Sequence, residues 1–112
     1  MDHQFHFDIR LKELEEKATG RLLMADVFNN TAFDDLYSYA CAKAVELKTE
    51  FVIPRQYLAS ILDAANAIRS RAEYLPEVRL HLNVAHNFDV LLSLIAKGEA
   101  PGDRKPGVPT IL

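Results

Sequence analysis

The side chains best suited to chemistry are the four histidines and the single cysteine. His3 and His6 are three residues apart in a segment whose pattern favours a strand, where such residues point to opposite faces. His81 and His86 are five apart in a predicted helix, which separates them by about 140° around its axis. One cysteine cannot form a thiolate cluster, so we predict no metal site and no cofactor.

Nucleophilic catalysis is the next possibility, with Cys41 activated by a nearby histidine. Cys41 lies between Tyr37 and Ala44 on the apolar stripe of a predicted helix, where cysteines are usually unreactive core residues. The sequence has no glycine-rich phosphate loop and no Gly-x-Ser-x-Gly motif. Among the sixteen Asp and Glu residues, no pair has a sequence spacing that indicates a catalytic general acid and base. We therefore predict that the chain is not an enzyme.

Composition limits the class of protein further. The chain has 112 residues, 49% of them hydrophobic, which predicts one globular domain without a stabilising disulfide. The net charge is −3, and the basic pairs Arg69 with Arg71 and Arg104 with Lys105 are short and lie beside acids, so we expect no nucleic-acid binding. No apolar run is long enough for a membrane span, and the first residues do not resemble a signal peptide. These features predict a cytoplasmic location.

The N-terminal segment alternates apolar and polar residues in the way of a half-buried strand. Phe5, Phe7, Ile9 and Leu11 are its apolar members. Because no other segment reads as a strand, this one would pair with its own copy, add to a partner's sheet, or pack in an extended form on a helix groove. The alternative is that a helix begins early and the alternation is accidental. We predict an extended or strand-like segment over residues 1–12.

The rest of the chain has helical periodicity. Thr31 with Asp34 resembles a capping box, Pro54 suits a first helical position, and Gly98 suits the residue after a last one. Gly20 could mark a break or a kink. The predicted helices cover approximately residues 11–28, 31–48, 54–75 and 77–97.

These elements predict an all-α fold, a small antiparallel bundle of about four helices. Residues 1–98 form the single helical domain. Residues 99–112, rich in proline and glycine, form a flexible C-terminal tail that ends in apolar residues.

The fourth predicted helix is apolar on two sides, which implies that both sides are buried. Either the helix is central in the bundle, or its second stripe meets another subunit or another protein. We therefore predict a homodimer or partner interface from this stripe and the N-terminal segment. The predicted interface residues are Phe5, Phe7, Ile9, Leu11, Leu80, Val84, Leu91 and Leu94.

Residues 31–98 resemble the small helical antiactivators of quorum sensing in length, helix order and general character. The resemblance implies a dimer that binds a LuxR-type transcription factor and blocks its dimerisation or its DNA binding. Independently of it, a small acidic domain with surplus apolar surface is expected to work by binding and inhibiting a protein partner. The alternatives are an immunity protein, an antitoxin or a phage-encoded inhibitor, a small enzyme or ligand-binding helical bundle, a structural oligomer, and a nucleic-acid binder.

Overall fold

A computed structural model describes residues 7–103 of the chain. Within this range all regular structure is helical, which confirms the predicted all-α class. His3, Phe5 and His6, like the last nine residues of the tail, lie outside the described residues. The elements are α1 (Ile9–Glu15), a π-helical turn (Glu16–Gly20), α2 (Arg21–Ala25), α3 (Asn30–Glu46), α4 (Arg55–Ala72), α5 (Pro76–Arg79) and α6 (Leu82–Ala96).

The first helix begins earlier than the alternating pattern predicted. Asp8 has an extended backbone, and its carboxylate accepts a hydrogen bond from the Leu11 amide at 3.0 Å. This N-cap satisfies one of the unpaired amides of the first turn, so residues from Ile9 onward are helical. The extended or strand-like segment predicted over residues 1–12 is therefore wrong for residues 9–12, which are helical.

The segment α1–π turn–α2 runs parallel to α4 in a constant register. Asp8 bonds to Gln56, the Leu23 carbonyl to Arg71, and Asp26 to Tyr74, and each pair is 48 residues apart. An unchanging difference means that the two segments advance together in the same direction. They are joined at both ends of their common length.

Two predicted helix starts are displaced by one or two residues. Asn29, not Thr31, caps α3, because its side chain accepts from the Ala32 amide at 3.1 Å. Pro54 is the N-cap of α4 rather than its first helical residue.

The predicted fourth helix is two helices, α5 and α6, separated by a turn at Leu80 and His81. The turn brings the His81 ring to 4.9 Å from that of Phe28. The Arg79 guanidinium reaches back to the Ala72 carbonyl at 3.0 Å, where it satisfies an acceptor at the end of α4. Because the helix is interrupted, Leu80 does not continue the stripe that Leu91 belongs to.

One core lies between the helices and receives side chains from each long element. Phe88 of α6 is fully buried and meets the rings of Phe33 and Tyr37 of α3 edge-on. Alanines fill much of the remaining core, which lets the helices approach closely. The larger buried side chains are Leu11, Leu14, Leu22, Phe33, Leu36, Ile61, Ile68, Val78, Phe88, Leu91 and Ile95.

The chain after α6 packs against the domain as far as it is described. Gly98 has the left-handed conformation expected of it, with φ of 72°. Ala100 is buried, and Asp103 accepts from the Lys48 ammonium at 3.1 Å, which ties this segment to the end of α3. Residues 99–103 thus contact the domain, and the flexibility of the tail over residues 99–112 stays a prediction.

Substituting alanine at two glycines should change the stability of the domain in opposite directions. Gly20 has helical angles and room for a Cβ atom, so Gly20→Ala should raise the free energy of unfolding by about 0.5–1 kcal/mol. Gly98→Ala should lower it by about 1–2 kcal/mol, because φ is positive and the added Cβ would lie 3.3 Å from the Lys48 carbonyl oxygen. Urea unfolding of both variants measures the difference. A loss of stability in Gly20→Ala, or a gain in Gly98→Ala, would contradict the backbone described at that position.

Candidate functional site

The Asp8 carboxylate is the most heavily bonded side chain in the described structure. It accepts hydrogen bonds from the hydroxyls of Tyr39 of α3, at 2.8 Å, and Tyr57 of α4, at 2.6 Å. The Gln56 side chain completes the site, since its Oε1 accepts from the Asp8 amide and its Nε2 donates to the Asp8 carbonyl. Three helices therefore meet at one residue. We call Asp8, Tyr39, Gln56 and Tyr57 the Asp8 anchor.

The anchor holds its carboxylate ionised. Burial raises the pKa of Asp8, but the bonds from Tyr57, the Leu11 amide and Tyr39, together with the charge of Lys43, outweigh it and leave the pKa below its ordinary value. Burial and the bond to Asp8 raise the pKa of Tyr39 to about 12. The same two causes raise the pKa of Tyr57, so both tyrosines stay protonated as donors at neutral pH. The anchor is an assembly that fixes helices and has no free group for catalysis.

An open groove lies along the middle of α1–π turn–α2 and α4. It has a volume of about 450 Å³. Its walls are mainly apolar, and its charged members are Lys12, Glu15, Glu16 and Asp63. We call it the acidic groove, and it is lined by Lys12, Glu15, Glu16, Thr19, Gly20, Leu23, Met24, Asp63, Asn66, Ala67 and Ser70.

Two carboxylates of this groove, Glu15 and Asp63, form no ion pair within the described residues. Glu15 and Asp63 are again 48 residues apart, so the register of the two segments sets them side by side. Within residues 7–103 neither makes a hydrogen bond or an ion pair, because Lys12 pairs with Glu16 at 3.6 Å. Burial, followed by the charge of Asp63, raises the pKa of Glu15, although the charge of Lys12 opposes the rise. The half-buried Glu15 and the exposed Asp63 thus carry like charges close to each other.

A second surface lies at the end of the bundle where α1 and α4 begin and α3 ends. Phe51, in the loop between α3 and α4, is fully exposed, and the other members of the set are each more than half exposed. Beside the loop, a cleft of about 590 Å³ separates it from the last turn of α6. We call this surface the apolar end, and its members are Phe7, Ile9, Val45, Phe51 and Val52.

The predicted interface residues do not form one surface. Leu11 and Leu91 are 1% and 0% exposed and belong to this chain's own core, so their assignment to an interface is corrected. Val84 and Leu94 are half-buried, and Val84 packs against the core. Leu80 is 80% exposed, at the opposite end of the bundle from the apolar end. Phe7 and Ile9 belong to the apolar end, and Phe5 lies outside the described residues.

The residues considered first for chemistry are dispersed or occupied. Burial raises the pKa of the half-buried Cys41 thiol, although a hydrogen bond with Tyr37 opposes it, so the thiolate is disfavoured. His86 is exposed, and Asp89 beside it is bound by the Arg69 guanidinium at 2.7 Å. Among residues 7–103, no group of three or more histidine, cysteine or acidic side chains is placed to hold a metal ion.

The basic pair in α4 is also neutralised. Arg69 forms a two-bond ion pair with Asp89 of α6. Arg71 lies 3.4 Å from the Asp26 carboxylate and donates to the Leu23 carbonyl. Both guanidinium groups therefore join helices of this chain.

No family model matches the chain, and neither a curated protein nor a solved structure was found that matches it. None of the helices described between residues 7 and 103 is long and apolar enough to cross a membrane.

Neither the Asp8 anchor nor the acidic groove is predicted from the sequence. Asp8 stands directly before an apolar run, which is an N-cap signal. The same residues also alternate as in a strand, and that pattern predicts the opposite structure. Glu15 and Asp63 carry no local signal, because only the tertiary register brings them together.

Replacing Asp8 tests the anchor. Asp8→Asn keeps the size and N-cap capacity but removes the charge, and should lower the free energy of unfolding at neutral pH by about 1–2 kcal/mol. Because the folded pKa of Asp8 is lowered, its contribution is present above the unfolded pKa of about 3.9 and is lost as pH falls through the folded value. Urea unfolding at several pH values should show a loss below about pH 4 that is smaller in Asp8→Asn.

Asp34→Asn, an exposed position in α3, is the matched control and should leave stability nearly unchanged. Equal stability of Asp8→Asn and the natural chain at neutral pH would contradict the role given to the anchor.

Proposed function

We propose that this chain is a cytoplasmic regulatory protein, not an enzyme, that binds a protein partner and inhibits it. The observation that carries the proposal is the apolar end, above all the fully exposed Phe51 beside Val52. An aromatic side chain at a loop tip contributes nothing to the core, and burying it against a partner removes a large apolar area from water.

The surroundings of Phe51 suit a protein contact. The cleft beside it is bounded by Ile53 and Ile95, with Lys48, Glu50 and Lys97 at its margin. Apolar centres surrounded by polar groups are typical of the binding hot spots of interfaces. A partner could place an apolar side chain in the cleft while Phe51 enters a pocket of its own.

The resemblance to quorum-sensing antiactivators supports a more specific version of this proposal. In that version the partner is a LuxR-type transcription factor, and binding at the apolar end prevents its dimerisation or its DNA binding. The same version includes a homodimer of this chain. Leu80, at the opposite end of the bundle, is the exposed member of the predicted interface that would serve the dimer contact without competing with the partner.

The partner contact is tested by Phe51→Ser with Val52→Ser. The double variant should fold normally and lose binding by roughly 30-fold or more, the effect of removing one interface hot spot. Immobilised natural chain should retain a protein from the cytoplasm of its source that the double variant releases. That protein should be a transcription factor whose DNA binding, measured by gel shift, is blocked by the natural chain.

Val90→Ser, a half-exposed apolar position on α6 away from the apolar end, is the matched control and should retain the protein. Retention by the double variant as well would refute the assignment of this surface. Recovery of a toxin or a nuclease would replace the antiactivator version by an antitoxin or immunity function.

The dimer is tested by mass. Light scattering of the natural chain should give about twice 12.6 kDa, and Leu80→Asp should give the monomer with an unchanged melting temperature. Leu91→Asp should instead unfold the chain, because it places a charge in the core. A natural chain that is monomeric at all concentrations would rule out the dimer.

A further inference from the structure

The cleft beside Phe51 has apolar walls that the described residues leave open to solvent. The half-buried Ile53 and the exposed Ala96 line it, and Phe51 stands at its rim. Its volume of about 590 Å³ lies within the range of about 300–1,000 Å³ that small-molecule sites occupy, so several aliphatic side chains fit in it. Covering apolar surface of this kind is favourable, because it removes that surface from water.

The chain is fixed to the wall of this cleft after it leaves α6. Gly98 lines the cleft, and Ala100, two residues later, is buried. The Asp103 carboxylate then accepts hydrogen bonds from the Ala100 amide at 2.9 Å and from the Lys48 ammonium at 3.1 Å. Lys48 itself lines the cleft. The segment that follows Asp103 therefore starts beside the cleft.

That segment, residues 104–112, lies outside the described residues, and its sequence carries apolar side chains within reach of the cleft. Val108, Ile111 and Leu112 are its large aliphatic members. Nine extended residues span up to about 30 Å, whereas the rim of the cleft is three residues from Lys48 and so at most about 11 Å from it. A Pro-Gly pair at positions 106 and 107, a common turn sequence, separates the fixed residue from the apolar ones. The segment is therefore long enough to turn back to the cleft.

Residues 1–6 also lie outside the described residues, but they suit the cleft less well. They join the described chain at Phe7, which does not line the cleft. Phe5 and Met1 are their large apolar members, and the rest of the segment is polar. Residues 104–112 have both the nearer attachment and the larger aliphatic content.

We propose that residues 108–112 dock reversibly in the cleft of their own chain, with Ile111 and Leu112 against Ile53 and Phe51. Because the segment and the cleft belong to one molecule, the effective concentration is high and modest contacts suffice. Docking covers the rim of the cleft, so a partner that uses Phe51 has to displace the segment. This competition rests on the proposed function, whereas the docking itself does not.

A tryptophan at the rim reports on docking, because the chain contains none of its own. In Phe51→Trp, the docked segment should shield the indole from acrylamide, a neutral quencher that must touch it. We call the further change of Ile111→Asp with Leu112→Asp the tail variant. It should raise the quenching constant by roughly two-fold or more, which corresponds to docking in at least about half of the molecules.

Lys105→Glu, also made in the Phe51→Trp chain, is the matched control. It makes the net charge more negative by two, as the tail variant does, but keeps the aliphatic residues. Its quenching constant should equal that of Phe51→Trp alone. A rise in Lys105→Glu as large as in the tail variant would assign the effect to charge and overturn the docking of the aliphatic residues.

Amide signals in NMR spectra test the docking with Phe51 in place. In isotope-labelled chain, Ile111→Asp with Leu112→Asp should move the signals of Ile53 and Gly98, which line the cleft. The signal of Leu80, at the opposite end of the bundle, should stay unchanged. Unmoved signals in the cleft would contradict the docking.

The outcomes separate the docking from the partner function. A quenching constant that is equal with and without the tail variant would overturn the docking, and the partner function would still stand if Phe51→Ser with Val52→Ser loses the partner. Shielding of the indole in a chain that retains no partner would support the docking alone. Shielding that disappears when the chain is diluted would place the segment in the cleft of a second copy and overturn the proposal.

Discussion

The structure depends on the attachment of α1–π turn–α2 to α4 through the Asp8 anchor. One carboxylate caps α1 and accepts from Tyr39 and Tyr57, so it sets both the start of the first helix and its position against two others. Hydrogen bonds of Arg71 and Tyr74 at the far end complete the attachment. The hydrogen bonds at both ends join residues that are 48 apart in the sequence. Residues between the two ends are therefore paired at the same spacing, even where the resulting contact is unfavourable.

Two surfaces of the domain, the acidic groove and the apolar end, follow from this arrangement. In the middle of the attached length, Glu15 and Asp63 are held together although their charges repel. The hydroxyl of Thr19, in the π turn, has no hydrogen-bond partner within the described residues. At the end of the bundle, the same register starts α1 beside the loop between α3 and α4, which presents Phe51.

The sequence predicted what depends on local pattern. Helical periodicity gave the all-α class, and Gly98 marked the end of α6, because a left-handed residue there favours glycine. The strand predicted at Ile9 was wrong because an alternating pattern of only four apolar residues is weak evidence, whereas Asp8 caps a helix that begins at Ile9. The interface predicted at Leu91 was wrong because an apolar stripe does not show whether another helix of the same chain or another protein covers it. Leu91 is covered by its own chain. The pairing of Glu15 with Asp63 is a tertiary property that no local pattern contains.

The central claim is that the attachment forces Glu15 and Asp63 together at a cost in stability. A double-mutant cycle in urea unfolding tests it most directly. Glu15→Gln and Asp63→Asn should each raise the free energy of unfolding by roughly 0.5 kcal/mol, and the second substitution should add nothing once the first is made. Additive effects, or a loss of stability in either single variant, would contradict the account.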